Sequence, residues 1–222
     1  MTPNRTMQSI AARQPRQLPR GGAVRKRGNT ASPDDAEVVY RKLKPADGAA
    51  IADHLKRLPS QDRRLRFMGY VGDAVIDRYC AGLDWQRAVL IGAFVDGVLR
   101  GVAHVALGEK PGGEAEIGLS VEPAHQGKRI GTELFDRALL SARNRSAVSV
   151  RVNCLAENHK MRRIAGKYSK EAGHCGDELT LLVHQDASDA VSHVQEAKAD
   201  GIASTRIILD HSKWTTHVQT AP

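Results

Sequence analysis

The stretch EAEIGLSVEPAHQGKRIGTELFDRAL, residues 114–139, decides the fold of this chain. Its first eight residues, Glu114–Val121, alternate in polarity, which predicts a strand with one buried face. Its second half carries Ile130, Leu134 and Ala138 at helical spacing, which predicts a helix that packs against a sheet. A short turn joins the two predicted elements, and the composition of that turn indicates what the chain binds.

The turn, HQGKRIGT at residues 125–132, contains two glycines and two adjacent cations. A helix start can bind an anion because its first N–H groups are unpaired and carry partial positive charge. Gly127 and Gly131 would let this backbone approach a phosphate closely, and Lys128 and Arg129 would add charge. The spacing excludes a P-loop, because the glycines are one residue too close and no lysine follows the second. A plain tight turn with solvent-facing cations is the alternative.

The elements around the turn follow from hydrophobic periodicity and from turn residues. Before it we expect a strand at Val38–Leu43, helices at 45–58, Gln61–Tyr70 (capped by Ser60) and Ala74–Ala81, and strands at Ala88–Val95, Val98–Leu107 and Glu114–Val121. The last three strands should form an antiparallel meander, since Asp96-Gly97 is a hairpin signal. After it we expect a strand at Ala147–Leu155, a helix capped by Asn158 with Met161, Ile164, Ala165 and Tyr168 facing a core, and a strand at Glu178–Gln185.

The 222 residues include 41% hydrophobic and 26% charged side chains, which is globular composition. Cys80, Cys154 and Cys175 are odd in number and widely spaced, so they predict neither a disulfide framework nor a zinc site. We therefore expect a reducing, cytoplasmic setting and no metal. An apolar run long enough to cross a membrane is absent, as is the apolar core of a secretory signal.

The net charge of +8 is concentrated at the N-terminus, where the first acidic residue is Asp34. The basic residues before it are Arg5, Arg13, Arg16, Arg20, Arg25, Lys26 and Arg27. We predict a disordered basic tail at residues 1–36, a folded domain at 37–185 and a C-terminal extension at 186–222. In that extension we expect a short helix with Val191, Val194 and Ala197 on its apolar face, and RIILDH (206–211) as a candidate strand. The tail could instead bind nucleic acid through salt-dependent phosphate contacts, or act as a transit peptide, although it lacks an amphipathic face.

Two motifs resemble the GNAT superfamily of N-acetyltransferases. Residues 114–139 look like the family's acetyl-CoA signature, Q/R-x-x-G-x-G/A, in which Gln126 and Gly131 match and Arg129 replaces the middle glycine. NHKMRRIAGKY (158–168) is similar to the family's N-x-x-M-x-x-L/I-A-x-K helix. The resemblance spans residues 38–185. A weaker similarity links RRLRFMGY (63–70) to the R-x-R-F segment of bacterial acetyltransferase domains that modify protein lysines.

This resemblance implies an α+β fold with a central, mixed, mostly antiparallel sheet flanked by helices. It also implies that the strands ending at Val121 and near Leu155 separate, and that acetyl-CoA is the cosubstrate bound in the gap. The backbone of Leu119 and Val121 would pair with the pantetheine arm, and a backbone N–H there would bind the thioester oxygen. The implied cofactor-binding residues are Leu119, Val121, Gln126, Gly127, Lys128, Arg129, Ile130, Gly131, Thr132 and Asn158.

Acetyl transfer to an amine also requires removal of a proton. Keeping a lysine-like amine neutral at pH 7 costs roughly 4.6 kcal/mol, so a general base near the thioester is useful. Glu116 is the candidate, because enzymes of the resembling family often carry a glutamate at about this place that acts through water. A solvent-facing strand glutamate is the alternative, and Glu114 lies on the same face. The spacing of Tyr168 predicts a core residue, and His104 and Cys154 are expected to fill the core.

We therefore predict direct transfer of an acetyl group, within a ternary complex, to a primary amine on a small molecule or a protein lysine. The acceptor pocket is expected at residues 59–84 and at loop tips. Two other functions stay open: a non-catalytic acyl-CoA sensor, and a nucleic-acid-binding protein that uses the basic tail.

Overall fold

A seven-stranded sheet with helices on both faces forms the structure, a computed structural model that describes residues 37–110, 112–169 and 171–201. The strands are β1 (Val38–Lys42), β2 (Ala88–Val95), β3 (Val98–Leu107), β4 (Glu114–Val121), β5 (Ser149–Leu155), β6 (Glu171–Cys175) and β7 (Glu178–His184). The helices are α1 (Gly48–Arg57), α2 (Ser60–Phe67), α3 (Asp73–Ala81), α4 (Ile130–Arg143), α5 (His159–Ala165) and α6 (190–201).

The strand order is β1-β2-β3-β4-β5-β7-β6, and every neighbouring pair is antiparallel except β4 with β5. The predicted meander of β2, β3 and β4 is confirmed. Asp96 and Gly97 both have positive φ, 51° and 75°, which matches the twist that a two-residue hairpin needs. The α+β class and the mixed, mostly antiparallel sheet are also as predicted.

Two hydrophobic cores cover the two faces of the sheet. On one face α4 packs on β2, β3 and β4, and its Leu134, Phe135 and Ala138 are fully buried. On the other face α1 and α3 bury Ile51 and Ile76 against β2 and β3. The alternation of β4 therefore sends its odd-numbered residues toward α4 and its even-numbered residues toward α1 and α2.

The parallel pair β4–β5 is short. Its register joins only Glu114, Ala115 and Glu116 to Ser149, Val150 and Arg151. Between Glu116 and the end of β4 the two strands have no paired residues, so a gap opens toward the turn that follows β4. The separation of these strands implied by the family resemblance is present.

Helix α2 and strand β6 differ most from the prediction. Helix α2 ends at Phe67 rather than Tyr70, because Met68 turns into the left-handed region with a φ of 55°. Ser60 is the first helical residue and not a cap, since Pro59 precedes the helix and no side chain caps it. Strand β6 was not predicted at all, because its five residues are all exposed and carry no apolar alternation.

Tyr168 was wrongly predicted to lie in the core. Helix α5 stops at Ala165, Gly166 caps its C-terminus, and Tyr168 follows in a turn with 38% of its surface exposed. Its ring packs beside Phe135 at 5.6 Å, and its hydroxyl donates to the carboxylate of Asp136. Asn158 does cap α5 as predicted, since its Oδ1 accepts the Met161 N–H at 3.0 Å.

The C-terminal helix α6 docks through polar groups. The predicted helix is present, but its apolar face is exposed: Val191 and Val194 are 63% and 51% exposed, whereas Ser192 is buried. Glu196 binds Lys42, Ser141, Asn144 and Arg145 of the domain. The tail at residues 1–36 and RIILDH (206–211) lie outside the described residues. Across the described ranges, none of the helices has the length and apolar content needed to span a bilayer.

Candidate active site

A groove of about 380 Å³ lies at the end of β4, between α2, the turn before α4, and α5. Eight of the predicted cofactor-binding residues line it: Leu119, Val121, Gln126, Gly127, Arg129, Gly131, Thr132 and Asn158. Lys128 is exposed beside the groove and does not line it. Ile130 is 1% exposed and its side chain belongs to the core, so only its backbone could serve a ligand. Glu116 is exposed and lies at the closed end of the gap, outside the lining residues.

The edge of β4 directs backbone groups into this groove. The Glu122 N–H donates to the Arg100 carbonyl of β3 at 2.9 Å, so the even-numbered amides of β4 face β3. By alternation the amides of Leu119 and Val121 face the gap. The Val121 carbonyl accepts from Nε2 of Gln126 at 2.8 Å. This side chain thereby ties the end of β4 to the turn that leads into α4.

The turn itself presents the start of α4. Gly127 has a φ of 75°, and Arg129, the N-cap of α4, has a φ of 64°. Arg129 thus adopts, at the position where the signature usually has glycine, the left-handed conformation that glycine takes without cost. No side chain caps the helix, so the first N–H groups of α4 are directed at the groove without a side-chain acceptor.

Gly131 holds the groove open between β4 and α5. A Cβ at this position would lie 3.3 Å from Cδ1 of Ile164 and 3.6 Å from Leu119. Ordinary van der Waals contact begins near 3.4 Å, so a single methyl group would need a small shift and a branched side chain would close the groove. The glycine here is required by a close approach of side chains, since its own φ is not in the left-handed region.

Charge along the groove is strongly positive. The lining cations are Arg66, Arg129, Lys160, Arg163 and Lys167, and Asp62 is the one acidic lining residue among those described. Asp62 accepts from Nε2 of Gln126 at 3.3 Å, and the Lys160 ammonium donates to Oε1 of the same amide. A groove with this balance and an uncapped helix start fits a polyanionic ligand such as the phosphates of coenzyme A.

Comparison with known proteins agrees with this geometry. A family model described as "Acetyltransferase (GNAT) family" matches residues 55–168, which is more than half of the chain. The chain belongs to the GNAT family. It is accordingly a member of a family of acyl-CoA N-acyltransferases, whereas no curated protein matches it.

Solved GNAT structures share the fold at low sequence identity. The GNAT domain of PAT from S. lividans is 17% identical with a TM-score of 0.57, over 65% of this chain and 89% of that one. The PaiA N-acetyltransferase from Thermoplasma acidophilum, solved with coenzyme A, is 17% identical with a TM-score of 0.50 (67% and 99%). RimL, a ribosomal L7/L12 alpha-N-protein acetyltransferase solved with coenzyme A, is 15% identical with a TM-score of 0.53 (68% and 96%).

In this GNAT chain a buried polar network joins α1 to β4. His54, which is 0% exposed, contacts Ser120 Oγ through Nε2 at 2.9 Å and Glu122 Oε1 through Nδ1 at 3.1 Å. Arg57 and Arg100 each donate to the Glu122 carboxylate at 2.9 Å. Burial alone would raise the pKa of Glu122, but the hydrogen bonds from His54 and the two arginines outweigh it and lower the pKa to about 2. Burial lowers the pKa of His54, so the ring is neutral at pH 7.

Arg66 also lines the groove, and the sequence did not predict it. It lies on α2 and its guanidinium covers Gly118 of β4: a Cβ there would lie 2.6 Å from Cζ. The R-x-R-F similarity was the available signal, but it did not indicate which arginine reaches the groove. Arg64, two residues earlier, instead pairs with Glu157.

No metal cluster accompanies the site in the part of the chain that the structure describes: no group of three or more His, Cys, Asp or Glu side chains converges there. His104 and Cys154 were predicted as core residues. Cys154 is buried, and His104 is half-buried with its Nδ1 at 2.8 Å from the Tyr79 hydroxyl.

Proposed function

We propose that this GNAT protein transfers the acetyl group of acetyl-CoA to a primary amine by direct attack in a ternary complex. The observation that carries the proposal is the gap between β4 and β5, which ends at the uncapped, cation-flanked start of α4. Such a gap gives an extended ligand both a strand edge to pair with and an anion site at one end. The predictions of a reducing cytosol and of a protein-lysine acceptor stay predictions.

Each part of the groove has a role in this reaction. Backbone N–H groups from Gly127 to Thr132, with the Arg129 guanidinium nearby, would hold the pyrophosphate. The amides of Leu119 and Val121 would pair with the pantetheine arm, and an N–H there would polarise the thioester carbonyl. Asn158 lines the same groove.

Glu116 is the proposed general base, which would accept the amine proton directly or through one water. It is the last β4 residue paired with β5, so its side chain stands at the point where the strands separate. It shares the face of β4 that carries Gly118 and Ser120, opposite to the face covered by α4. Tyr168 does not suit proton donation to the departing thiolate, because burial and Asp136 raise its pKa to about 12.

Glu116→Gln tests the proposed base. The amide keeps the shape and cannot take the proton, so kcat should fall by about 10²–10⁴ near neutral pH, while acetyl-CoA affinity measured by calorimetry holds. The fall in kcat should become smaller as the pH approaches the pKa of the amine. Acceptors are first found with an amine and peptide panel.

Glu114→Gln is the matched control, since Glu114 lies two residues earlier on the same face and pairs with Arg151 at 2.7 Å. Its kcat should stay within a few-fold of wild type. If the kcat of Glu116→Gln equals that of wild type, Glu116 is not the general base. Tight acetyl-CoA binding without any acetylated acceptor would favour the sensor function instead.

A further inference from the structure

Arg66 occupies the face of β4 that the acceptor would approach. Its guanidinium lies over Gly118, two residues beyond the last pair of β4 and β5. Glycine leaves the room that this side chain occupies, because the three atoms nearest to an added Cβ would all belong to the Arg66 guanidinium, at 2.6–2.8 Å. Helix α2, which carries Arg66, contacts both β4 and β5 and so spans the gap on this face.

The guanidinium is held in place by a defined set of contacts. Its Nη2 donates to the Tyr79 hydroxyl at 2.9 Å, and the Tyr79 hydroxyl lies 2.8 Å from Nδ1 of His104. Burial, and then the Arg66 charge, lower the pKa of His104 to about 4. The ring is therefore neutral and Nδ1 can accept from Tyr79. The rings of Phe67 and Tyr79 lie 5.0 and 5.6 Å from Arg66 Cζ, within cation–π range.

This positioned cation has no carboxylate partner among residues 37–110, 112–169 and 171–201. Asp62, one turn earlier on α2, is bound to Gln126 instead. A half-buried guanidinium favours an anion, because it has lost part of its hydration, and its planar fork matches a carboxylate in two hydrogen bonds.

In the proposed binding mode, the phosphates of coenzyme A do not reach Arg66, although the residues that would hold them line the same groove. The phosphates would lie at Gly127–Thr132, beyond Val121, whereas Arg66 faces Gly118 toward the closed end of the gap. Gly118 and Glu116 are two residues apart on one face of β4, a separation of about 6–7 Å along the strand. An amine at Glu116 could therefore place a carboxylate on Arg66 if the two groups are a few bonds apart.

We propose that Arg66 binds a carboxylate of the acceptor, so that the acceptor is an amino-acid-type molecule in which the reacting amine and a carboxylate are a few bonds apart. This inference rests on the proposed acetyl transfer and names the substrate class of that site. Tyr79 and His104 are positioning residues that hold the guanidinium.

The test compares amino acids with their own carboxamides, which keep the amine and lose the carboxylate. Each pair is titrated calorimetrically into the full-length protein saturated with coenzyme A, and kcat/KM is measured with acetyl-CoA. Wild type should favour the acid of the best pair by about 10-fold to 100-fold, as expected for a charge-assisted hydrogen bond. In Arg66→Gln the ratio between the acid and its carboxamide, in affinity and in kcat/KM, should fall to near one.

Two further variants sharpen the result. Arg64→Gln removes the same charge from the same helix outside the groove, so the preference should persist. Gly118→Ala keeps Arg66 but displaces its flexible end, so the preference should fall while the melting temperature changes little. Comparing ratios between variants cancels the differing basicity of the two amines.

The binding measurement keeps the inference separate from catalysis. An acid preference in binding that Arg66→Gln abolishes supports the inference even where no turnover occurs. An equal preference in wild type and Arg66→Gln, or no binding by any acid of the panel, overturns it. If amines without a carboxylate are acetylated equally well by wild type and Arg66→Gln, the inference about Arg66 is also wrong. The proposed acetyl transfer would still hold in that case.

Discussion

Arg129 shows how one residue can depart from a signature and keep its geometry. The backbone at this position needs a positive φ, and a non-glycine residue adopts that conformation at a cost of about 1–2 kcal/mol of strain. The side chain lines the groove, where its charge faces the site expected for phosphates. The chain therefore has a cation where glycine would be less strained.

Arg129→Gly should separate these two effects. The free energy of unfolding should rise by about 0.5–1 kcal/mol, because relief of the strain exceeds the entropy lost by glycine. The Kd for acetyl-CoA should rise several-fold, because a cation is lost. Chemical denaturation and calorimetry measure the two quantities.

Lys128→Gly is the control for this substitution, since Lys128 has no positive φ and does not line the groove. It should lower stability slightly and leave acetyl-CoA affinity nearly unchanged. A loss of stability in Arg129→Gly would contradict the strain argument.

The sequence predicted most of the turn residues that line the groove but missed Arg66. The turn is contiguous, so its glycines, its helix start and its charges can be read together. The contact of Arg66 with Gly118 depends on how α2 packs across β4, and no local pattern encodes that packing. Ile130 was included for its backbone N–H, which belongs to the same turn, and its side chain is buried in the core.

Between elements, the attachment of α1 to β4 depends on Glu122. Its carboxylate accepts from His54, Arg57 and Arg100 while only 9% of its side chain is exposed. Removing one partner of such a network leaves the other buried groups without an acceptor.

Glu122→Gln should lower the free energy of unfolding by about 2–3 kcal/mol, because a neutral amide cannot replace the charge-assisted bonds to both arginines. Denaturant titration measures the change. Glu109→Gln is the control, because Glu109 is 88% exposed and its carboxylate is 3.7 Å from the Arg87 guanidinium, so its effect should be within about 0.5 kcal/mol. An equal effect of both substitutions would show that the network does not hold α1.

Helix α6 illustrates why an element can be predicted without the face through which it packs. The spacing of Val191, Val194 and Ala197 predicts an amphipathic helix. The structure instead buries Ser192 and turns Glu196 toward the cations Lys42 and Arg145. Three small apolar side chains gain less from burial than the carboxylate gains from several donors at once, and only the tertiary fold brings those donors together.

At the scale of the whole molecule, buried titratable groups should make stability fall steadily in acid. The pKa of His104 is about 4 in the folded protein, against an ordinary value of 6.5. As the pH falls, His104 therefore binds a proton in the unfolded chain before it does so in the folded one, and the free energy of unfolding decreases between about pH 6.5 and 4. His54 acts in the same direction, because burial lowers its pKa.

The acidic part of the profile belongs to Glu122, which is buried, and Glu196, which is half-buried. The folded pKa values of Glu122 and Glu196 are about 2, because hydrogen bonds outweigh burial, against an ordinary 4.5. Their contribution is present above about pH 4.5 and is lost between about pH 4.5 and 2. Melting temperatures measured from about pH 7 to 3 should therefore fall throughout. His104→Gln should flatten the part above about pH 4, and a wild-type profile that is flat down to that pH would contradict the assignment.

The order of elements was largely readable from the sequence, because buried strands and helices carry strong periodicity. The exceptions share a physical cause. Strand β6 is exposed along its whole length and pairs only with β7, so it needs no apolar pattern. Its formation depends on backbone hydrogen bonds to an existing strand, which any sequence of suitable flexibility can make.

The three residue pairs between β4 and β5 also have a mechanical consequence. Within the described residues they are the only strand pairing between β1–β4 and β5–β7. Contacts of α2 with β4 and β5, and of α4 with α5, also connect the two halves. A ligand bound along β4, as proposed above, would contact both halves of the sheet where β4 and β5 have no paired residues. Because ligand binding stabilises the folded state that holds the site, β5 and β7 should become more resistant to local unfolding as the ligand concentration rises.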